Sequence, residues 1–115
     1  MVKTSLGTEK QVGWQHCWTT KEAVDNIKKQ YNKVIIFALE KTKMAKNYVN
    51  VKYKLPLVLI VGNEKSGIKK ETLILADETI QIPMLGQHRS LNVATACGIA
   101  VFEIVHQIIT SPDRF

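Results

Sequence analysis

Apolar residues fall in short unbroken runs separated by stretches in which they recur at helical spacing. Val34-Ile35-Ile36-Phe37-Ala38-Leu39 is a continuous β-branched and aromatic run, the pattern of a strand covered on both faces and central in its sheet. Leu57 to Val61 repeats it, and Thr79 to Ile82 reads as a third core strand. Pro83 ends that strand, because proline has no N–H to give to a ladder. Val12 to Trp18 reads as a short strand ahead of these. Thr19-Thr20-Lys21-Glu22 forms a capping box, with Thr19 as N-cap and Glu22 reaching back. Ala23, Val24, Ile27 and Tyr31 then keep helical spacing, which predicts a helix from Thr20 to Gln30. Thr42 to Tyr48 predicts a short helix before a Lys52 to Lys54 link, and Glu71 to Ala76 another. From Leu91, the positions Val93, Ala96, Cys97, Ala100, Val101, Ile104, Val105 and Ile108 predict a long amphipathic helix that stops before Pro112. Its first turns are rich in small residues, which admits a close neighbour, whether the chain's own core or a second subunit. Met1 to Gln11 has no periodicity and predicts no opening strand, and Ser5-Leu6-Gly7 suits a turn.

Strands alternating with helices predict an α/β fold with a mostly parallel sheet and flanking helices. The 115 residues, 45% of them hydrophobic, suit one domain spanning 1–115. No unbroken apolar run approaches the roughly 20 residues needed to cross a bilayer, and Met1 to Gln15 lacks the apolar stretch of a signal peptide. A cytoplasmic protein without a membrane partner is expected. Cys17 and Cys97 lack the spacing of metal or redox sites, so reduced thiols and no metal are expected.

Charge narrows the partners. The net charge is +6, and it is concentrated: Lys21 to Lys54 holds nine lysines against Glu22, Asp25 and Glu40. That favours a polyanion, nucleic acid first, although a solvated lysine-rich surface fits the same count. Arg89 is one of only two arginines, and the guanidinium is the side chain suited to bidentate phosphate contacts.

Two places carry candidate chemistry. The Leu57 to Val61 strand runs into Gly62-Asn63-Glu64-Lys65-Ser66-Gly67, a glycine-bounded loop where α/β sheets place ligands. Ile82-Pro83 runs into a polar loop from Gly86 to Arg89, after which Ser90 or Asn92 suits the N-cap of the last helix. Such a helix start attracts anionic or polar ligand atoms and equally suits an ordinary capped helix.

The segments Leu57 to Ile68, Ile82 to Gly86 and Ser90-Leu91-Asn92-Val93-Ala94 resemble the second and third motifs of the SpoU, or TrmH-like, RNA ribose 2′-O-methyltransferases of the SPOUT superfamily. Thr4 to Lys10, the Thr20 to Gln30 helix and Phe37 to Thr42 are similar to the family's connecting region, so nearly the whole chain is covered. The resemblance implies a SPOUT-type fold with a C-terminal trefoil knot, S-adenosylmethionine as cofactor, methylation of a ribose 2′-hydroxyl in tRNA or rRNA, and a homodimer. Carried over residue by residue, it implies a cofactor pocket of Leu59, Val61, Gly62 and Asn63, of Ile82, Pro83, Met84, Leu85 and Gly86, and of Ser90, Leu91 and Asn92. It places Glu64, Ser90 and Asn92 at positions whose side chains serve the active site, with Arg89 added as a phosphate-facing group. The family's first motif, an asparagine and a catalytic arginine, has no counterpart before Thr4, so the chain is expected to lack the first strand and helix.

Methyl transfer to a ribose hydroxyl requires alignment of two reactants and removal of a weakly acidic proton. Gly62, Gly67 and Gly86 would let backbone approach the ligand, Glu64 would position groups, and His88 has a suitable intrinsic pKa but stands alone in its loop. The alternative is a catalytically incomplete cofactor- or RNA-binding remnant. A generic α/β interaction domain fits the paired motifs poorly.

Overall fold

A computed structural model of the chain describes residues 2–7, 12–17, 19–63, 66–84 and 92–111. It comprises two compact units, Met1–Val34 and Ile35–Phe115.

In the first unit, β1 (Val2–Gly7) pairs antiparallel with β2 (Val12–Cys17), from Val2 opposite Cys17 to Gly7 opposite Val12. The opening strand corrects the sequence reading, which found no periodicity there and a turn at Ser5 to Gly7. Val2, Thr4 and Leu6 do alternate with polar or small residues, but a short polar strand becomes legible only with its hairpin partner. Helix α1 (Thr20–Gln30) has the predicted bounds. Thr19 Oγ1 accepts the Glu22 N–H at 3.1 Å, which satisfies one of the orphan donors of the first turn. Ala23, Val24 and Ile27 form its buried stripe.

The second unit is built on a four-stranded sheet in the order β4-β6-β3-β5, with every pairing parallel. Its strands are β3 (Ile35–Leu39), β4 (Lys46–Asn47), β5 (Leu57–Val61) and β6 (Glu78–Gln81). β3 lies inside, as its unbroken apolar run predicts, and Ile36, Phe37 and Ala38 are all buried although consecutive residues face opposite sides. One face carries the core of Phe37, Val51, Tyr53, Ile80 and Ile104, with Leu57, Leu59 and Ile108 packed around it. The entry to β6 is tied to β3 twice: Asp77 N–H donates to the Ile36 carbonyl at 2.7 Å, and Asp77 Oδ2 accepts the Ile36 N–H at 2.7 Å.

Three further expectations are corrected. Thr42 to Tyr48 is not a helix: Lys46 and Asn47 pair with Ile80 and Gln81 of β6, and a single 3-10 turn, Tyr48–Asn50, follows. Gln81 Nε2 donates to the Ala45 carbonyl at 2.9 Å and Lys46 Nζ to Glu78 at 2.7 Å, so partners more than thirty residues away outweigh local propensity. The Lys52 to Lys54 link is part of the core, since Val51 and Tyr53 are buried on either side of exposed Lys52. Helix α2 is shorter than expected, Lys70–Leu73, and continues as turns to Ala76.

Helix α3 (Val93–Thr110) starts at Asn92, whose Oδ1 accepts the Ala94 N–H at 2.8 Å; of the two candidate caps, Asn92 holds the position. It packs Ile104 and Ile108 onto the sheet core. The other part of its surface is less polar than the predicted amphipathic pattern. Ala94, Gly98, Val101, Phe102, Val105 and Ile109 fall within one stripe about 100° wide, and all six are exposed. By length and composition α3 is apolar enough to cross a membrane, with 18 residues at mean hydropathy 1.6. Counting only unbroken apolar runs missed this, because Thr95, Glu103, His106 and Gln107 interrupt the pattern.

Candidate functional site

Parallel pairing brings the carboxyl ends of β3, β5 and β6 to one end of the sheet, since Leu39 is level with Val61 on one side and with Ile80 on the other. This is the end where open parallel sheets bind ligands, because chain leaves each strand there with backbone groups released from the ladder. The two predicted pocket segments, 59–63 and 82–84, therefore leave from the same end but on opposite sides of β3. Two strand spacings, about 10 Å, separate their exits.

Leu59 lies within β5 and packs on the core, whereas Val61 at the strand end is 39% exposed. Ile82, Pro83 and Met84 follow β6 in irregular backbone, with Pro83 exposed. Asn63 and Gly67 close the β5 loop on itself: Gly67 N–H donates to the Asn63 carbonyl at 2.9 Å, and Asn63 N–H donates back to the Gly67 carbonyl at 3.3 Å. Asn63 Oδ1 accepts the Ser66 N–H at 3.4 Å, so this side-chain oxygen shapes its own loop.

Gly62 and Gly67 are also required by the loop itself. A Cβ on Gly62 would lie 2.4 Å from the Gly67 carbonyl carbon and 2.8 Å from its oxygen, so Gly62 is required by the opposite side of its own loop. Gly67 has φ of +68°, a left-handed conformation that favours glycine, and a Cβ there would lie 2.5 Å from Glu40 Oε2. Glu40 follows the last residue of β3, and its Oε2 accepts the Ile68 N–H at 2.6 Å. Sequence reasoning passed over this residue. Its only signal was position, one residue beyond an interior strand.

Asn92 is placed as the α3 cap, with its Oδ1 engaged by Ala94 N–H. Glu64, Leu85, Gly86, Arg89, Ser90 and Leu91, together with His88 and the segment that would form the knot, lie outside the described residues. Among the described residues no group of His, Cys, Asp and Glu could hold a metal ion, and Cys97 is a free thiol. The nine lysines between Lys21 and Lys54 are all exposed but divide between the units, four on the first and five on the second. Lys21 pairs with Asp25 at 3.7 Å and Lys46 with Glu78 at 2.7 Å.

Comparison with known proteins gives this geometry a context. The model of the SpoU rRNA Methylase family matches residues 1–102. A tRNA (guanosine(18)-2′-O)-methyltransferase of Aquifex aeolicus (strain VF5) is 38% identical over 97 residues, covering 80% of this chain and 46% of the relative. One from Escherichia coli (strain K12) is 32% identical over 107 residues, covering 93% and 46%. Among solved structures, the SpoU methyltransferase AviRb from Streptomyces viridochromogenes in complex with AdoMet superposes with a TM-score of 0.73 at 25% identity, over 81% of this chain and 38% of that one. The A. aeolicus TrmH/SpoU tRNA modifying enzyme does so with a TM-score of 0.68 at 36% identity, over 77% and 44%. The chain thus spans less than half the length of these relatives.

Proposed function

The chain belongs to the SpoU rRNA methylase family, and we propose from that membership that it binds S-adenosylmethionine at the carboxyl ends of β5 and β6 and serves methylation of a ribose 2′-hydroxyl in tRNA or rRNA. The observation that carries this reading is the level exit of segments 59–63 and 82–84 from one end of a parallel sheet. The residues present suit the cofactor: uncovered apolar surface at Val61 and Pro83 fits an adenosine, and irregular backbone beside it offers polar groups for its edges. S-adenosylmethionine would supply an activated methyl group on a sulfonium sulfur. The chain's own part is alignment, with the closed loop 62–68 and residues 82–84 holding the site in one geometry. Glu64, Ser90 and Asn92 are proposed to orient the reacting groups, and Arg89 to meet a phosphate of the RNA.

Exposed lysines on both units are proposed to add sequence-independent affinity for RNA, which makes binding steeply dependent on salt. A homodimer is proposed through the exposed stripe of α3. A trefoil knot between β6 and α3, and a single domain over residues 1–115, are part of the same reading.

Titration calorimetry with S-adenosylmethionine and S-adenosylhomocysteine, read together with amide chemical-shift mapping, tests the pocket. Saturable binding with shifts confined to residues 59–68 and 82–92 is expected. Shifts centred on the first unit, or no heat with either ligand, would refute it.

A further inference from the structure

We infer that Glu40 is a positioning residue for the candidate cofactor loop, an inference that rests on the pocket proposed above. Glu40 stands where three strand ends meet. Its backbone N–H donates to the Ile80 carbonyl of β6 at 3.0 Å, which keeps it in line with β3. Its side chain turns to the other neighbour, and Oε2 takes the Ile68 N–H at 2.6 Å, a short bond of the charge-assisted kind. Ile68 is buried, so the far end of the β5 loop is held by one side chain in the core and one backbone bond to a carboxylate.

The contact is transmitted through the loop by close packing. Both carboxylate oxygens and the carboxyl carbon lie within 3.3 Å of where a Gly67 Cβ would be, with Oε2 nearest, so the group sits close against Gly67. Gly67 in turn backs onto Gly62, the first residue after β5. The bonds between Asn63 and Gly67 join the loop to itself and leave its orientation on the sheet to other contacts. Glu40 is one such contact: it ties the loop to the interior strand and so helps set where residues 62 and 63 stand opposite residues 82–84. The carboxylate has no role in the transfer itself; it acts through the backbone of Gly67 and Ile68.

The test uses residues 1–115 with Glu40→Ala and Glu40→Gln, reading amide hydrogen exchange without ligand and affinity for S-adenosylmethionine. In Glu40→Ala, exchange at Ile68 should quicken about tenfold or more, as expected for loss of a bond to a charged acceptor, while Phe37 and Ile80 keep wild-type rates. Affinity should fall by a similar factor. Glu40→Gln keeps an oxygen acceptor and should restore most of both. Three results would overturn the inference: unchanged Ile68 exchange in Glu40→Ala, uniform loss of protection across the sheet, or affinity lost equally in both variants with Ile68 still protected, which would make the carboxylate a ligand contact. If the unaltered chain bound no S-adenosylmethionine, the cofactor reading would fail, while exchange at Ile68 would still decide whether Glu40 holds the loop.

Discussion

A single side chain can show how burial and chemistry are linked, and Tyr53 does so in the core of the second unit. It is 2% exposed, its ring meets Phe37 edge-on at 5.1 Å, and its hydroxyl donates to the Tyr48 carbonyl at 2.6 Å. Burial pushes the phenol up to about 12 from its ordinary 10.0, with the carboxylates of Glu103 and Glu78 and the nearby Tyr48 adding to the rise. The fold therefore favours the protonated phenol. Its contribution to stability is complete below pH 10 and is lost as pH climbs towards 12. Tyr53→Phe should cost about 1 kcal/mol at neutral pH, through the lost bond to Tyr48, and should flatten the alkaline decline. Urea denaturation between pH 7 and roughly 11 measures both, and parallel alkaline slopes in the two proteins would contradict the assignment. Gly62 teaches a related lesson. Because its Cβ would strike its own loop, loss of binding on substituting it would report a broken loop as readily as a filled pocket.

At the scale of elements, α1 and α3 show which signals are local. Thr19 and Asn92 cap their helices with bonds to residues two or three places on, so the code is contained in a few neighbouring residues. Asn92 is also a candidate active-site residue, and the two roles separate by substitution. Asn92→Ala should destabilise the chain by about 1 kcal/mol, whereas Asn92→Asp keeps the accepting oxygen and should leave the melting temperature nearly unchanged. If Asn92→Asp holds its stability yet binds S-adenosylmethionine several-fold more weakly, the amide group contacts the ligand. Equal affinity for the aspartate variant would reduce Asn92 to a cap. By contrast, the 42–48 segment has helix-compatible residues and becomes strand and 3-10 turn, because its partners Glu78, Ile80 and Gln81 are supplied by β6.

For the molecule as a whole, α3 poses the main question. Its uncovered stripe includes Phe102, 74% exposed and stacked on His106, and a Cβ on Gly98 would meet nothing within 4 Å. Packing among the described residues therefore does not account for the small residues at Ala94 and Gly98. The homodimer proposed above would account for them, since small residues let two helices approach closely. Light scattering at micromolar concentration should give twice the 13.0 kDa chain mass, and Phe102→Glu should return it to one. A wild-type monomer would refute the interface, and partition of the monomer into vesicles would identify a bilayer as the occupant instead. RNA affinity should drop steeply with added salt in either case, because the lysines responsible lie outside the stripe.

The sequence by itself determined the interior strand, the two capped helices and the apolar β5 that carries the loop, because caps and periodicity are written in neighbouring residues. Its two motifs also carried the family, which the match over residues 1–102 shows. Tertiary structure alone decided the β1 to β2 pairing, the fate of residues 42–54 and the reason for Gly62. It alone revealed Glu40, whose partner Ile68 lies 28 residues away, and the Asp77 clamp on Ile36, 41 residues away. Such contacts exist only once parallel pairing has set strand ends side by side, and no local spacing records which ends will meet.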